Sequence, residues 1–377
     1  MKQKYFWIII PIVSFLFLNE LILDDKIPLA SDMVAHEPIK KWIDSTSEFP
    51  HWFPNLFSGM PSYGGYIYTP GHPLKIVLDF LLVNTGVKLW FYLSIGGLGL
   101  FFFLRFLKVS NYSSLFAGIA YSLTPYVFGL ISAGHNNKIM AGGFIPWVVF
   151  GAIYMFKYPS IKSVLFFSIA SALQLWTNHP QIVYYTWMVI GLWWLLDLVF
   201  IIVKKENKVK KTLNNLGLIL LSLAISLLMV SDPYYEVYTF QKESNRGAPS
   251  VLDDTNDTKK GTKWDYATQW SFHPSESISL ILPYYYGLQN FSVKDRSNPE
   301  KFMKQASYWG YMPFTQSTHY LGLLVIIISF FSLWRLFIKK DFNATELYLW
   351  IIAIAVLVTG FGSHFSILYK PLFKLAP

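Results

Sequence analysis

The sequence predicts an all-α polytopic membrane protein with about nine transmembrane helices and two long outer loops, in a single membrane domain over 1–377. Three observations carry that reading. The chain is 53% hydrophobic and 19% aromatic but only 14% charged, whereas a soluble globular protein is about a quarter charged. Apolar runs of roughly 20 residues recur, the length that crosses a bilayer as a helix, and they lack the polar faces a soluble all-α protein needs. Finally, the lysines behind the net charge of +9 flank these runs, which reads as membrane anchoring and not as nucleic-acid binding.

The first span is placed at 5–23. It is long for a signal-peptide core, and no small-x-small cleavage pattern follows it, so it is read as retained. The first outer loop covers 24–85. Its opening stretch, LILDDKIPLASDMVAHEPIKKW (21–42), sets Asp24, Asp25, Asp32, His36 and Glu37 just past the apolar run. Next comes FPHWFPNLFSGMPSYGGYIYTPGHP, where Pro and Gly set turns and the aromatics suit a layer on the membrane surface. Residues 73–84, PLKIVLDFLLVN, are too short and too charged to cross alone and read as an interfacial or re-entrant helix. Six further spans follow at 86–107, 113–131, 139–157, 163–178, 182–203 and 213–231. A second outer loop, 232–317, holds one solvated patch, VLDDTNDTKKGTK, between aromatic segments. The last spans are 318–338 and 345–361.

Basic residues orient this arrangement. Lys2 and Lys4 precede the first span, and Arg105 with Lys108, Lys157 with Lys162, Lys204 to Lys211, and Arg335 with Lys339 and Lys340 fill alternate connections. Alternating spans put all of these on one side, predicted to be cytoplasmic, with the N-terminus inside. All eight histidines and most acids then fall on the opposite, outer face of the cytoplasmic membrane.

That face supplies the candidate chemistry. Asp32 has two readings: a general base on an acceptor hydroxyl, or, with Ser31, a cap for the amphipathic stretch 34–43. SAGHNNKIMAGG places His135, Asn136, Asn137 and Lys138 at a helix start, where exposed N–H groups and a lysine favour an anion, and Gly142 and Gly143 allow close helix packing. LWTNHPQIVYYTW places Asn178, His179 and Gln181 at the next outer turn. Each of these polar residues taken singly fits capping or interfacial hydrogen bonding; the set on one face reads as a site, because polar groups at membrane depth are costly unless used. Beyond the seventh span stand Asp232, Glu236, Lys242 and Arg246, the last suited to bidentate phosphate recognition. YATQWSFHPSESISLILPYYYG and YWGYMPFTQSTHYLG offer rings and hydroxyls that suit sugars and bilayer interfaces equally.

Several signals are absent. The chain has no cysteine, hence no disulfide framework or thiolate metal site. There is no Walker A loop, GxGxxG before a helix, or HExxH. Charges within spans are few, Asp197 being the main exception, which argues against an ion-coupled transporter.

SDMVAHEPIKKW, FPNLFSGMPSY, AGHNNKIMAGGFIPW, NHPQIVYY, QKESNRGAPS, WSFHPSESISLILPYYYG and YWGYMPFTQSTHYLGLL together resemble the bacterial YfhO family, in its Bacteroidetes form, over nearly the whole chain. That family resembles the C-type glycosyltransferases. The resemblance implies a GT-C-like, many-helix enzyme whose outer-face site uses a polyprenyl-phosphate sugar donor, with a key acid in the first outer loop. Asp32 is the position that matches this acid. The GHNNK and SNRG segments would line a donor or acceptor pocket. Family members continue past the point where this chain reads YKPLFKLAP, so a C-terminally truncated form is expected.

The function expected is transfer of a sugar from that lipid-linked donor to an envelope polymer or lipid acceptor. Asp32 is the catalytic base, Lys138 and Arg246 counter charge on the departing phosphate, and His135 and His179 position substrates. A divalent cation bridging carboxylate and phosphate is compatible with this scheme, but no ligand spacing demands one. The alternatives are a transporter or flippase, or an assembly factor, for lipid-linked envelope precursors.

Overall fold

The computed structural model describes residues 3–24, 26, 38–39, 41–47, 50–54, 58–62, 80–81, 84–241, 263–288, 291–298, 300–312, 319–340 and 343–375. Two compact units divide the chain, Met1–Val237 and Tyr238–Pro377.

The first unit is a helical bundle. A 3-10 segment, Gln3–Ile8, runs into α1 (Ile9–Phe17) and, past a break at Leu18, into α2 (Asn19–Leu23). The span expected over 5–23 is therefore three short pieces. At the break the Leu18 N–H is shared between the Ser14 and Phe15 carbonyls, which tightens the turn. A two-stranded hairpin, β1 (Trp52–Phe53) with β2 (Met60–Pro61), pairs Trp52 with Pro61 and Phe53 with Met60. Gly59, at φ +118, closes it, and a Cβ there would stand 2.6 Å from the Trp52 ring. Of the re-entrant helix expected over 73–84, Phe80 and Leu81 are described and are helical; the rest, Asn84 apart, lies outside the described residues.

The long helices follow. The Asn84 side chain caps α3 (Thr85–Phe106) by accepting the Val87 N–H at 2.8 Å, and its amide donates to Ile22 O at 3.1 Å. One residue thus starts α3 and ties it to α2. The span expected over 113–131 divides into α4 (Asn111–Ser122) and α5 (Pro125–Ala133). Pro125 is the cause: its ring holds Thr124 extended, at ψ 134, and opens a new helix at its first position. Then come α6 (Asn136–Lys157), α7 (Ile161–Leu175), α8 (Pro180–Val203), α9 (Val209–Met229) and α10 (Ser231–Gln241).

The protein is thus helical and membrane-embedded in character. Among the described residues, five helical segments are long and apolar enough to cross a bilayer: Thr85–Phe106, Asn111–Ala133, Asn136–Lys157, Pro180–Val203 and Val209–Met229. Four more expected spans fall on shorter apolar helices, Tyr5–Phe17, Ile161–Leu175, Leu323–Phe337 and Ala344–Gly360. A helix of about 15 residues measures roughly 22 Å, short of the ~30 Å hydrocarbon core. Helix length therefore supports five crossings. The expected end of the fifth span, at 178, retreats to Leu175 because Asn178 takes a positive φ of 54.

Glycine sets the closeness of packing in this bundle. A Cβ on Gly97 would stand 2.1 Å from Ser122 Oγ, and one on Gly151 would stand 2.9 Å from the Phe167 Cα. Without a hydrophobic drive between helices in lipid, such approaches and interhelical hydrogen bonds hold the bundle. Ser122 Oγ donates to Leu93 O, Trp147 Nε1 to Ile95 O, and Ser226 Oγ to Ser168 O. The core shared by α6, α7, α8 and α9 contains Val148, Met155, Phe167, Ile190 and Ile219.

The second unit begins with a short helix, α11 (Trp264–Ala267), and a 3-10 segment, Pro274–Leu280. Strands β3 (Phe291–Lys294) and β4 (Phe302–Gln305) pair antiparallel, Phe291 opposite Gln305. The pairing continues inward, with Ser307 N–H donating to Leu288 O and Trp309 N–H to Tyr286 O. Helices α12 (Leu323–Phe337), α13 (Ala344–Gly360) and α14 (Tyr369–Leu375) complete the unit. α12 and α13 are joined by Glu346, which accepts from Ser332 and Arg335, while Trp350 Nε1 donates to Ser332 Oγ at 3.0 Å.

Candidate functional site

In the first unit the candidate site lies where α6 and α8 begin. α5 ends in Gly134, left-handed at φ 81, and His135 then occupies the N-cap position of α6. Lys138 follows in the first turn, its N–H bonded to His135 O at 3.1 Å. Between α7 and α8, Asn178 turns the chain and His179 caps α8 ahead of Pro180. The His179 Nδ1 accepts the Ile182 N–H at 3.4 Å, a proton shared with the His179 carbonyl at 3.1 Å.

Gln174 brings the two helix starts into register. Its side chain is fully buried, and its amide nitrogen donates to Ala141 O of α6 at 3.1 Å and to Thr186 Oγ1 of α8 at 3.0 Å. Both partners lie under two turns into their helices. Further in, Val148 and Met155 of α6 share a buried cluster with Ile190 of α8. The two helices thus run in the same direction, and their ends at Lys157 and Val203, with the lysines that follow, share the opposite end of the bundle. Gly143 does what its position predicts: a Cβ there would stand 2.7 Å from Tyr92 O. Gly142 faces open space on that measure, and its carbonyl accepts the Tyr121 hydroxyl at 2.7 Å.

The electrostatics agree with this placement. Burial pushes the His179 imidazole below its ordinary value and the positive charge of Lys138 pushes it further; a hydrogen bond to its own backbone partly offsets this, and His135 adds a smaller push downward. The three residues predicted separately from two motifs are therefore within electrostatic reach of one another. His135, Lys138 and His179 are all half-buried, so their charge is felt in a medium less polar than water. Two helix N-termini, an ammonium and two imidazoles make this end of the bundle suited to an anion.

Asp32 and Arg246, the predicted base and second phosphate-binding cation, lie outside the described residues, as do Asp25, His36, Glu37 and Lys242. Asp24 is described and is exposed, in an ion pair with Lys26 at 3.3 Å. Among the described residues no group of three His, Asp or Glu side chains converges to hold a metal ion.

The second unit holds a site that sequence reasoning missed. Glu276 is buried at 2% exposure within the 3-10 segment. Its carboxylate accepts the Tyr308 hydroxyl, 3.0 Å from both oxygens, and the Tyr311 N–H at 2.7 Å. Tyr308 in turn accepts the Met312 N–H at 2.9 Å. Burial and the Glu276 carboxylate push the Tyr308 phenol up to about 12, so it remains a hydrogen-bond donor at neutral pH. Burial lowers the His319 imidazole, and Glu276 partly offsets this. Alongside, Tyr286 donates to Ser275 Oγ at 3.0 Å, and Ser275 Oγ lies 2.6 Å from His273 Nδ1. The His273 ring stacks on Tyr311 with centroids 3.9 Å apart, and Tyr286 packs on Trp309 at 4.3 Å. The two aromatic motifs that looked ambiguous in sequence meet here through one acid. A glutamate flanked by serines in HPSES, with no lysine or arginine near it in sequence, was the available signal.

Compared with known proteins, the chain matches no family model, no curated protein and no solved structure.

Proposed function

We propose that this chain is a membrane glycosyltransferase that moves a sugar from a polyprenyl-phosphate donor to an envelope polymer or lipid acceptor on the outer face of the cytoplasmic membrane. The reading follows the resemblance of its motifs to the YfhO family and the C-type glycosyltransferases. The observation that carries it is the meeting of Lys138, His135 and His179 at the paired starts of α6 and α8. That cluster suits a phosphate at the end of the bundle opposite its lysine-rich connections, in keeping with an outer-face site.

In this scheme Asp32 takes the proton of the acceptor hydroxyl, and the oxygen forms a bond to the anomeric carbon. The bond from that carbon to the phosphate oxygen breaks, and its electron pair leaves on the lipid phosphate. Lys138 and Arg246 counter the charge that builds there. The aromatic segments exclude water and contact the sugar.

Sugar transfer from a radiolabelled lipid-phosphate donor into membrane acceptors tests the proposal. The parent chain should support incorporation and Asp32→Asn should abolish it while inserting normally. Normal transfer by Asp32→Asn reduces Asp32 to a helix cap. Arg246→Ala should weaken donor use more than Arg246→Lys. Because the chain has no cysteine, single cysteines at 32 and 135 can be labelled without background. Labelling only from the cytosol would overturn the proposed orientation.

A further inference from the structure

In the second unit the loop 308–312 is fixed from within and aromatic on its outside. The Tyr308 hydroxyl turns inward, donating to the Glu276 carboxylate at 3.0 Å and accepting the Met312 N–H at 2.9 Å. The Tyr311 N–H closes the loop on the same carboxylate at 2.7 Å. A Cβ on Gly310 would meet the Tyr308 hydroxyl, so this wrapping needs glycine there. The rings of Trp309 and Tyr311 are nevertheless 61% and 63% exposed. Each is backed by another ring. Tyr311 stacks on His273 with centroids 3.9 Å apart, and Trp309 rests on the buried Tyr286 at 4.3 Å, with Tyr285 beside it at 5.7 Å. Tyr286 is itself held, its hydroxyl donating to Ser275 and its carbonyl accepting the Trp309 N–H. The result is a shelf of open ring faces on a backbone that is already ordered. Exposed apolar surface of this kind marks an interaction site, and rings fixed beforehand lose little conformational freedom on binding.

We propose that Trp309, Tyr311 and Tyr285 form a docking shelf for the neutral sugar units of a glycan chain. A pyranose presents a face of C–H groups that stacks on an aromatic ring, and hydroxyls around its rim that need hydrogen-bond partners. The shelf offers both. Its open rings supply the stacking, and polar groups border them: the exposed Ser307 on one side, and on the other the exposed Ser275 and His364, the latter 4.7 Å from the His273 ring. That polar border favours a glycan over the acyl region of a bilayer. The charge also selects. SFHPSESISLILPYYYG (271–287) and SYWGYM (307–312) contain no lysine or arginine, so nothing in them counters a phosphate or an acidic polymer. Their one acid, Glu276, is buried and already engaged. The glycan follows from this chemistry and not from the transferase reading, which gives the aromatic segments contact with sugar but names no residues. The shelf uses none of the residues given a role in transfer. It binds without reacting, and it would serve a transferase, a transporter or an assembly factor alike.

Saturation-transfer NMR on the full chain in nanodiscs tests this, with maltoheptaose, cellopentaose and mannopentaose as neutral probes and tetragalacturonate as the acidic one. At least one neutral oligosaccharide should bind. Binding of none, or of tetragalacturonate alone, overturns the proposal. Trp309→Ala and Tyr311→Ala remove exposed rings and leave the Tyr308 and backbone contacts of Glu276 in place. Each should weaken binding roughly three- to tenfold, the scale of one aromatic contact. Trp309→Phe, which keeps a ring, should stay within about threefold of the parent. Tyr284→Ala, at an exposed ring outside the shelf, should bind as the parent does. Parent-like binding by either Trp309→Ala or Tyr311→Ala places the glycan elsewhere and overturns the proposal. The other occupant to test is the bilayer. With 5-fluorotryptophan in the chain, the 19F signal of Trp309 is assigned by its loss in Trp309→Phe. If headgroup spin-labelled lipid broadens that signal and no oligosaccharide shifts it, the shelf is a membrane contact and the proposal fails. Glycan binding by a chain that transfers no sugar removes the transferase reading and leaves the shelf. Sugar transfer by a chain that binds none of the probes removes the shelf and leaves the transferase reading.

Discussion

His179 and His273 each stand at the N-terminus of a helical segment, and each accepts a backbone N–H on Nδ1, from Ile182 at 3.4 Å and from Ser275 at 3.2 Å. The shared device ends there. His179 has Lys138 and His135 as charged neighbours and sits at the meeting of two long helices. His273 has the Ser275 hydroxyl against the same nitrogen, Tyr311 stacked on its ring and His364 at its edge, 4.7 Å away. The acid nearest to that network, Glu276, is buried and fully engaged by tyrosine. A capping histidine therefore takes its chemistry from its company. In the first unit the company is cationic and suits an anion. In the second it is hydroxyl and ring, locked by a carboxylate whose acceptors are already used.

The largest test of that contrast is Glu276→Ala. Removing a buried acceptor orphans the Tyr308 hydroxyl and the Tyr311 N–H, and should destabilise the second unit by roughly 3 kcal/mol. Protease resistance of residues 263–312 or thermal unfolding would read it, and an unchanged profile would refute the locking role. Cap removal comes next. His179→Ala and His273→Ala should each cost about 1 kcal/mol of local stability, seen as faster amide exchange in the first turn that follows. The contrast sharpens if only His179→Ala also loses phosphate binding.

Acidification is the third test. The His179 and His319 imidazoles are held below their ordinary value of 6.5. Each binds fewer protons folded than unfolded, so stability is full above about pH 6.5. It then falls as pH drops through that value toward the lower folded ones. Unfolding midpoints across this range should drop with pH, and a flat profile would contradict both shifts. The smallest effect belongs to Lys138→Gln, which removes a positive neighbour and should raise the His179 titration midpoint slightly in an NMR titration.

Much of this was legible in the sequence where the chain needed only local rules. The apolar runs located the helices, and HNNK and NHPQ marked two polar turns as a set. The errors have local causes as well. The run 5–23 was read as one span, yet it breaks at Leu18, just ahead of Asn19 and Glu20, and 113–131 gave no weight to Pro125. Gly142 and Gly143 read alike in sequence; only the neighbour Tyr92 distinguishes them. Glu276 was overlooked because nothing beside it in the chain pairs with it. Its partners, Tyr308 and Tyr311, are 32 and 35 residues away.

By itself the sequence determined that this is a helical membrane protein, since apolar length and charge placement are properties of consecutive residues and the bilayer reads them directly. Which polar groups would meet was decided only by the tertiary structure. Gln174 aligns α6 with α8, and a glutamate is closed off by tyrosines from another loop, because hydrogen bonds between distant segments depend on helix register and not on sequence neighbourhood.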